Sequence, residues 1–291
     1  MCEDYIKGGR GAVILPKFYV DDIIKNAIKE DINYLDISSA YVLDENERVN
    51  AYFVSKADGV LCGIDIAMRV FELLDDTFEY EKLKNDGDEI KKGDVIVNFS
   101  GKGVLLLQGE RTALNLIQHM SGIASMTSRA VKAVEGTGAS IADTRKTLPG
   151  LRALQKYAVT CGGGRNHRFN LSDAAMLKDN HIDAGGGIEK TVGLLRQKIG
   201  HTVKIEVETR DLEEVREAVK AGADIIMLDN MDVDTMREAV KIIDKRALTE
   251  ASGNVTLDNI AEVGKAGVDI ISMGALTHSV KAFDISMKIE K

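Results

Sequence analysis

The 291 residues are 44% hydrophobic and 29% charged, enough chain and enough apolar material for two globular domains. A formal net charge of -8 excludes a general nucleic-acid binder, whose phosphate contacts need a basic face, but leaves room for a local basic pocket. No stretch approaches the roughly 20 consecutive apolar residues of a membrane helix, and the first residues, MCEDYIKGGRGAVILPKF, lack the pattern of a signal peptide.

In chain order, residues 21–30 place Ile23, Ile24, Ala27 and Ile28 on one helical face. Residues 50–56 (NAYFVSK) read as a strand, residues 64–74 as a helix, and residues 78–83 alternate as a strand does. The segment GDEIKKGDVIVNFSGKGVLLL combines glycines at turn-like spacings with short β-branched runs and reads as a small antiparallel β unit. Residues 110–133 form a long helix or a helix pair, with Leu114, Ile117, Met120, Ile123 and Met126 on a period of three to four. The two prolines, Pro16 and Pro149, argue against long stiff linkers.

After Gly136 the texture changes to short apolar strands alternating with amphipathic helices. The strands are SIADTRKT, AAMLKDNHI, KIEVET, IIMLDN, ALTEASGN and IISMGAL, and helical stretches such as residues 212–220 and 236–245 lie between them. That alternation implies a parallel sheet with helical crossovers. Each apolar run ends in polar residues or glycine: Arg145-Lys146, Lys178, Glu208, Asp229, Ser252-Gly253 and Gly274. The last four markers are 21, 23 and 22 positions apart, the beat of one strand–helix unit. In an α/β barrel such strand ends converge on one mouth, where the active site sits. The plainer alternative is that strands end in polar residues because they end at the surface.

Three groups of residues carry candidate chemistry. Arg145, Lys146, His167, Arg168 and Lys178 lie within 34 positions, with Arg111 upstream. Several guanidinium and ammonium groups around one pocket suit a substrate with more than one negative charge; the alternative is a solvated basic surface. His167 and Arg168 follow three consecutive glycines, Gly162 to Gly164, which permit a tight irregular backbone. Glu208 and Asp229 end adjacent predicted strands and form a carboxylate pair fit for Mg2+ or for two ribose hydroxyls, with Glu206 on the same face of the pleat but deeper; the alternative is helix capping or a salt bridge. Ser252-Gly253-Asn254 and Gly274 follow neighbouring late strands, where backbone N–H groups bind phosphate. His278 faces the same phosphate or caps local backbone. His119, on an apolar helical stretch, reads as a satisfied buried residue, and His181 and His201 show no sign of a role. Cys2, Cys62 and Cys161 are far apart, show no CxxC spacing for zinc or a redox pair, and fit a reduced cytoplasmic protein.

The stretch DTRKTLPGLRALQKYAVTCGGGRNHRFNLSDAAMLKDNHI, residues 143–182, strongly resembles the signature of the quinolinate phosphoribosyltransferase family, also called carboxylating nicotinate-nucleotide pyrophosphorylase. ERTALNLIQHMSGIAS, IEVET, IIMLDN, EASGN and ISMGALTHS resemble its other blocks in the same order. The resemblance implies an N-terminal α/β sandwich over residues 1–115, an incomplete parallel α/β barrel over residues 116–279, and a tail, residues 280–291, returning to the first domain. It implies decarboxylating phosphoribosyl transfer from phosphoribosyl pyrophosphate to quinolinate, with Mg2+ as cofactor. By carry-over, Arg145, His167, Arg168 and Lys178 bind the quinolinate carboxylates, Thr144 is a further substrate-binding residue, and Lys146 lies near pyrophosphate. Glu208 and Asp229 handle the ribose and Mg2+, directly or indirectly, and Ser252, Gly253, Asn254, Gly274 and His278 hold the 5′-phosphate. Lys146, Glu208 and Asp229 are the catalytic candidates. The family works as a homodimer or dimer-based oligomer in which the residue matching Arg111 enters the partner's site. Two rivals remain at this level: a related phosphoribosyltransferase-like protein of molybdenum uptake, and a barrel that binds a phosphorylated ligand without turnover.

Overall fold

The computed structural model describes residues 5–7, 14–32, 34 and 36–290. The chain enters through β1(Tyr5–Lys7) and β2(Ile14–Pro16), which pair antiparallel, then α1(Lys17–Asp31) and α2(Ile37–Val42). It continues through β3(Arg48–Ser55), β4(Gly59–Val60), α3(Ile64–Leu74), β5(Glu79–Lys82), β6(Glu89–Ile90), β7(Val95–Lys102) and the long α4(Gly103–Ala133). Then come β8(Ser140–Ala142), α5(Arg152–Cys161), β9(Ala175–Leu177), α6(Asp179–Gly185), α7(Ile188–Arg196), β10(Ile205–Thr209) and α8(Leu212–Lys220). The chain closes with β11(Ile225–Asp229), α9(Val233–Ile243), β12(Leu248–Ser252), α10(Ile260–Gly264), β13(Ile270–Ser272), α11(Ala275–His278) and β14(Ile285–Ile289).

These elements fall into two compact units. The first comprises Met1–Ser128, Leu148–Gly163 and Ser279–Lys291; the second comprises Arg129–Thr147 and Gly164–His278. The division therefore differs from a single cut near residue 115. Most of α4 belongs to the first unit, and the segment carrying α5 returns to it.

The first unit is built on a four-stranded antiparallel sheet in the order β14-β3-β7-β5, flanked by a β4–β6 pair. Its core includes Phe53, Phe71 and Phe99, joined at the margin by the half-buried Phe78, with ring pairs 5.1 to 6.3 Å apart in stacked, tilted and edge-on arrangements. The terminal segment adds β14 to β3, with Ile285 opposite Ser55 and Ile289 opposite Ala51. The run VLLL, read from sequence as part of a β unit, is the first turn of α4 instead. A short apolar run has no period that separates strand from helix. Here the strand stops at Lys102, and Leu106, Ala113, Ile117 and Met120 form one buried face. The 31 residues of α4 are one continuous helix.

The second unit holds six parallel strands in the order β8-β13-β12-β11-β10-β9. The two end strands, β8 and β9, do not pair, so the parallel sheet is not closed into a ring. Arg165 forms a bridge to Ala142 beside β8, and the chain runs on from there to β9. Strand residues such as Val207, Ile226, Leu228, Ala251 and Ile271 are fully buried beneath amphipathic helices. Asp211 caps α8 by accepting from the N–H groups of Glu213 and Glu214, and Asp232 caps α9 in the same way through Asp234 and Thr235. Val215 and Ala218 of α8, and Met236, Ala239 and Ile243 of α9, then face the core. The result is an α/β fold whose parallel strands all end on one side. Among the described residues, no helix is long and apolar enough to cross a membrane.

Candidate active site

The C-terminal ends of the parallel strands enclose a cavity of about 610 Å³, all of whose lining residues belong to the second unit. Thr144, Arg145 and Lys146 enter after β8, His167 and Arg168 from the segment before β9, and Lys178 just after β9. Glu208 comes from β10, Asp229 from the end of β11, and Ser252, Gly253 and Asn254 from the end of β12. Strand register explains the convergence. Glu208, Met227 and Glu250 pair across β10, β11 and β12 as one layer, and Asp229 opposite Ser252 forms the next layer outward.

The basic side is held by backbone geometry. Asp143 is fully buried and accepts from the His167 backbone N–H at 2.8 Å and from Asn166 Nδ2 at 2.7 Å. His167 Nδ1 accepts the Arg168 N–H at 2.8 Å, so the ring proton rests on Nε2. That nitrogen faces Glu206 Oε2 at 3.1 Å and Glu250 Oε1 at 3.5 Å. Arg168 donates one guanidinium N–H to Ala174 O at 2.9 Å. Burial, and then the neighbouring charge of Arg145, lower the pKa of Arg168. Arg145 Nε is buried without a hydrogen-bond partner among the described residues. Two mutually repelling guanidinium groups, one with an orphan donor, make a site that an anion relieves.

The acidic side has two depths. Glu206 and Glu250 are each 1% exposed, and the carboxyl of Glu250 is pushed up to about 7 by burial and by the charge of Glu206. Nearer the opening, Glu208 Oε2 accepts from Lys178 Nζ at 2.5 Å, and Asp229 Oδ2 accepts from Asn230 Nδ2 at 2.8 Å. Asn254 Nδ2 donates to Asn230 Oδ1 at 2.9 Å, extending the chain of hydrogen bonds across two strand ends. Gly253 has a φ of +89°, and a Cβ there would overlap the Asn230 side chain, so glycine is required on both counts. Two carboxylates that line one cavity from neighbouring strands suit a hard cation that retains waters.

Gly274 and His278 sit around the end of β13. A Cβ at Gly274 would come within 2.9 Å of Lys146 Cδ and 3.2 Å of the His278 ring, so Lys146, Gly274 and His278 are neighbours. Thr277 Oγ1 donates to Lys146 O at 2.8 Å and fixes the backbone under that lysine. Arg111 belongs to the first unit, in a groove with Glu30, Asp31, Pro149 and Gly150. His119 is in the first unit too, 2.8 Å from Gln155 Nε2 and lowered in pKa by burial, as befits a satisfied interior residue.

Four residues of the site escaped the sequence reading. Glu250 and Asp143 each lie two positions before the polar residues that drew attention, Ser252 and Arg145. Asn230 directly follows Asp229, where helix capping was the alternative. His181 Nδ1 accepts the Lys178 N–H at 3.1 Å and so orients the first turn of α6 beneath that lysine. The alternation of Glu250 with Ser252, two positions on along β12, was the one signal available for the first of them.

The model of the quinolinate phosphoribosyl transferase C-terminal domain matches residues 123–288, and that of its N-terminal domain matches residues 36–121. The chain is 46% identical over 267 residues to a probable nicotinate-nucleotide pyrophosphorylase (carboxylating) of Bacillus subtilis (strain 168), covering 92% of each chain. It is 41% identical to a mitochondrial quinolinate phosphoribosyltransferase (decarboxylating) of Nicotiana tabacum, covering 94% of this chain and 83% of the relative. Its fold matches the crystal structure of NadC from Streptococcus pyogenes with a TM-score of 0.92 and 42% identity, over 95% of this chain and 98% of that one.

Proposed function

The chain belongs to the quinolinate phosphoribosyltransferase family, and from that premise we propose how its cavity carries out the family's reaction. The enzyme transfers phosphoribosyl from phosphoribosyl pyrophosphate to quinolinate, releasing pyrophosphate and carbon dioxide and leaving nicotinate mononucleotide, a precursor of NAD. The observation that carries this reading is the single cavity in which Arg145, Arg168 and Lys178 face Glu208 and Asp229 at the ends of parallel strands.

Quinolinate brings two carboxylates. Arg145, Arg168 and Lys178 receive them, with Thr144 and the ring of His167 lining the pocket beside them; the orphan Arg145 Nε donor and the mutual repulsion of the two guanidinium groups favour an anion between them. Lys178, held by Glu208, exchanges part of that ion pair for substrate. Glu208 and Asp229 accept from the ribose hydroxyls. Ser252, Gly253 and Asn254 after β12, and Gly274 with His278 after β13, offer donors to the 5′-phosphate. Lys146 lies between these groups and stabilises negative charge growing on pyrophosphate as the anomeric bond breaks. Glu208 and Asp229 would hold Mg2+, which would supply further neutralisation of the pyrophosphate.

The ring nitrogen of quinolinate attacks the anomeric carbon. The resulting pyridinium accepts the electron pair left when the adjacent carboxylate departs as carbon dioxide. No protein nucleophile takes part, and holding the two anions in line supplies about 7–11 kcal/mol of the barrier. We further propose that the working unit is a homodimer, or an oligomer built from dimers, in which Arg111 completes the partner's cavity. The test is incubation with quinolinate, phosphoribosyl pyrophosphate and Mg2+, with nicotinate as the parallel acceptor. Nicotinate mononucleotide should form from quinolinate and stop in excess chelator. Turnover of nicotinate alone would overturn the substrate assignment, and full turnover in chelator would remove the metal role.

A further inference from the structure

The first unit holds a second group of reactive side chains, which phosphoribosyl transfer does not use. Cys62 lies between β4 and α3, and Cys161 is the last residue of α5, 99 positions later. The fold brings their Sγ atoms and a carboxylate oxygen of Asp86 within 4.8 Å of one another. The two thiols are therefore neighbours, with no other cysteine among the described residues beside them. Cys62 is fully buried, whereas Cys161 is only half-buried.

Asp86 is the hub of this arrangement. Its Oδ1 accepts from the N–H groups of Gly63 and Ile64 at 2.9 and 3.0 Å, and its Oδ2 accepts from the Tyr157 hydroxyl at 2.7 Å. Gly63 directly follows Cys62, and Tyr157 sits one helical turn before Cys161. One buried carboxylate thus ties together the two backbone segments that carry the thiols. Both its oxygens are engaged in that task. The cluster therefore falls short of the four ligands a structural zinc site requires, while two neighbouring thiols are what a disulfide requires.

We propose that Cys62 and Cys161 are a redox-responsive pair that closes to an intramolecular disulfide on reaction with a hydroperoxide and reopens with a dithiol. Cys161, the more exposed, reacts first. Its thiolate attacks one peroxide oxygen, the O–O bond breaks, and the departing oxygen takes a proton and leaves as water or alcohol. Cys161 is then a sulfenic acid. The Cys62 sulfur attacks the Cys161 sulfur, the S–O bond breaks, and hydroxide leaves as water with the Cys62 proton. The two thiols have lost two electrons and two protons, and the peroxide has gained them. Burial, the neighbouring Cys161 thiol and the charge of Asp86 keep Cys62 protonated and inert until a sulfenic acid forms beside it. In a reducing cytoplasm the pair rests as thiols. Closure secures the end of α5, six positions before His167 in the chain.

The test uses the full chain, reduced, desalted and treated with an equivalent of hydrogen peroxide, followed by intact mass and peptide mapping without reductant. The expected result is the loss of two hydrogens, one cross-linked peptide pair containing Cys62 and Cys161, and full reversal by dithiothreitol. Cys161→Ser should abolish the cross-link, and Cys62→Ser should leave a sulfenic acid at Cys161 that a dimedone probe captures. Peptide mapping of the unsubstituted protein stands alone if Cys62→Ser does not fold. Linkage through Cys2, over-oxidation of Cys161 without any linkage, or stoichiometric zinc released from the protein on denaturation would each overturn the proposal.

Discussion

Glu250 is a carboxyl group in a place that resists its charge. It is buried, faces Glu206, and titrates near 7 instead of the usual 4.5. Between those two values the folded chain holds a proton that the unfolded chain has released, so stability falls as pH rises through that window. A displacement of that size corresponds to roughly 3 kcal/mol. Thermal unfolding should therefore show a lower Tm at pH 8 than at pH 5, and Glu250→Gln should flatten the slope. An identical slope in both proteins would exclude Glu250 as its source. The arginines make a different demand. Arg145 presents an orphan Nε, and Arg168 keeps one N–H on Ala174 O; a lysine reproduces the charge of either but not its planar fork. Arg145→Lys should raise the KM for quinolinate by about 10- to 100-fold, the worth of one or two charge-assisted hydrogen bonds, and leave the KM for phosphoribosyl pyrophosphate nearly unchanged. Equal effects on both substrates would show that Arg145 serves the cavity as a whole.

At the scale of elements, the outcome depended on whether a segment carried its own period. Strands β10, β11 and β12 could be read from apolar runs ending in Glu208, Asp229 and Ser252, because each is bounded by a helix with a clear amphipathic face. Helix α3 was legible for the same reason, with Ile64, Ala67, Met68 and Phe71 facing inward. The run after Lys102 was not, since four apolar residues fit either period, and only the close approach of α4 to the aromatic core decides it. Glu250 and Asp143 stayed hidden because their importance comes from strand register, a property of neighbours far away in sequence. Gly109 records how close α4 comes: a Cβ there would lie 2.8 Å from the Phe71 ring. Alanine gains about 1 kcal/mol of helix propensity over glycine, but overpacking a core costs about 1–3 kcal/mol. Gly109→Ala should therefore lower the Tm by a few degrees despite its better propensity. A raised Tm would show that Phe71 moves aside without cost.

On the scale of the whole molecule, the cavity belongs to one compact unit and Arg111 to the other. If Arg111 serves a partner's cavity, Arg111→Ala and Lys178→Ala chains are each inactive alone but complement one another. Random mixing yields half heterodimers with one intact site of two, so activity should return to about a quarter of the unsubstituted level per chain. No recovery after verified subunit exchange would show that each chain completes its own site. The family's signature was legible at this scale because residues 143–182 gather so much of the cavity into one contiguous stretch. The interleaving of the two units was not, since nothing local in residues 148–163 says that they return to the first. The pairing of β14 with β3 carries a further consequence for biosynthesis. Until the ribosome has released residues 285–289, β3 presents an open edge to the cell, so the first unit, begun earliest, is sealed last. Nascent chains stalled short of that point are then the forms most in need of chaperone cover.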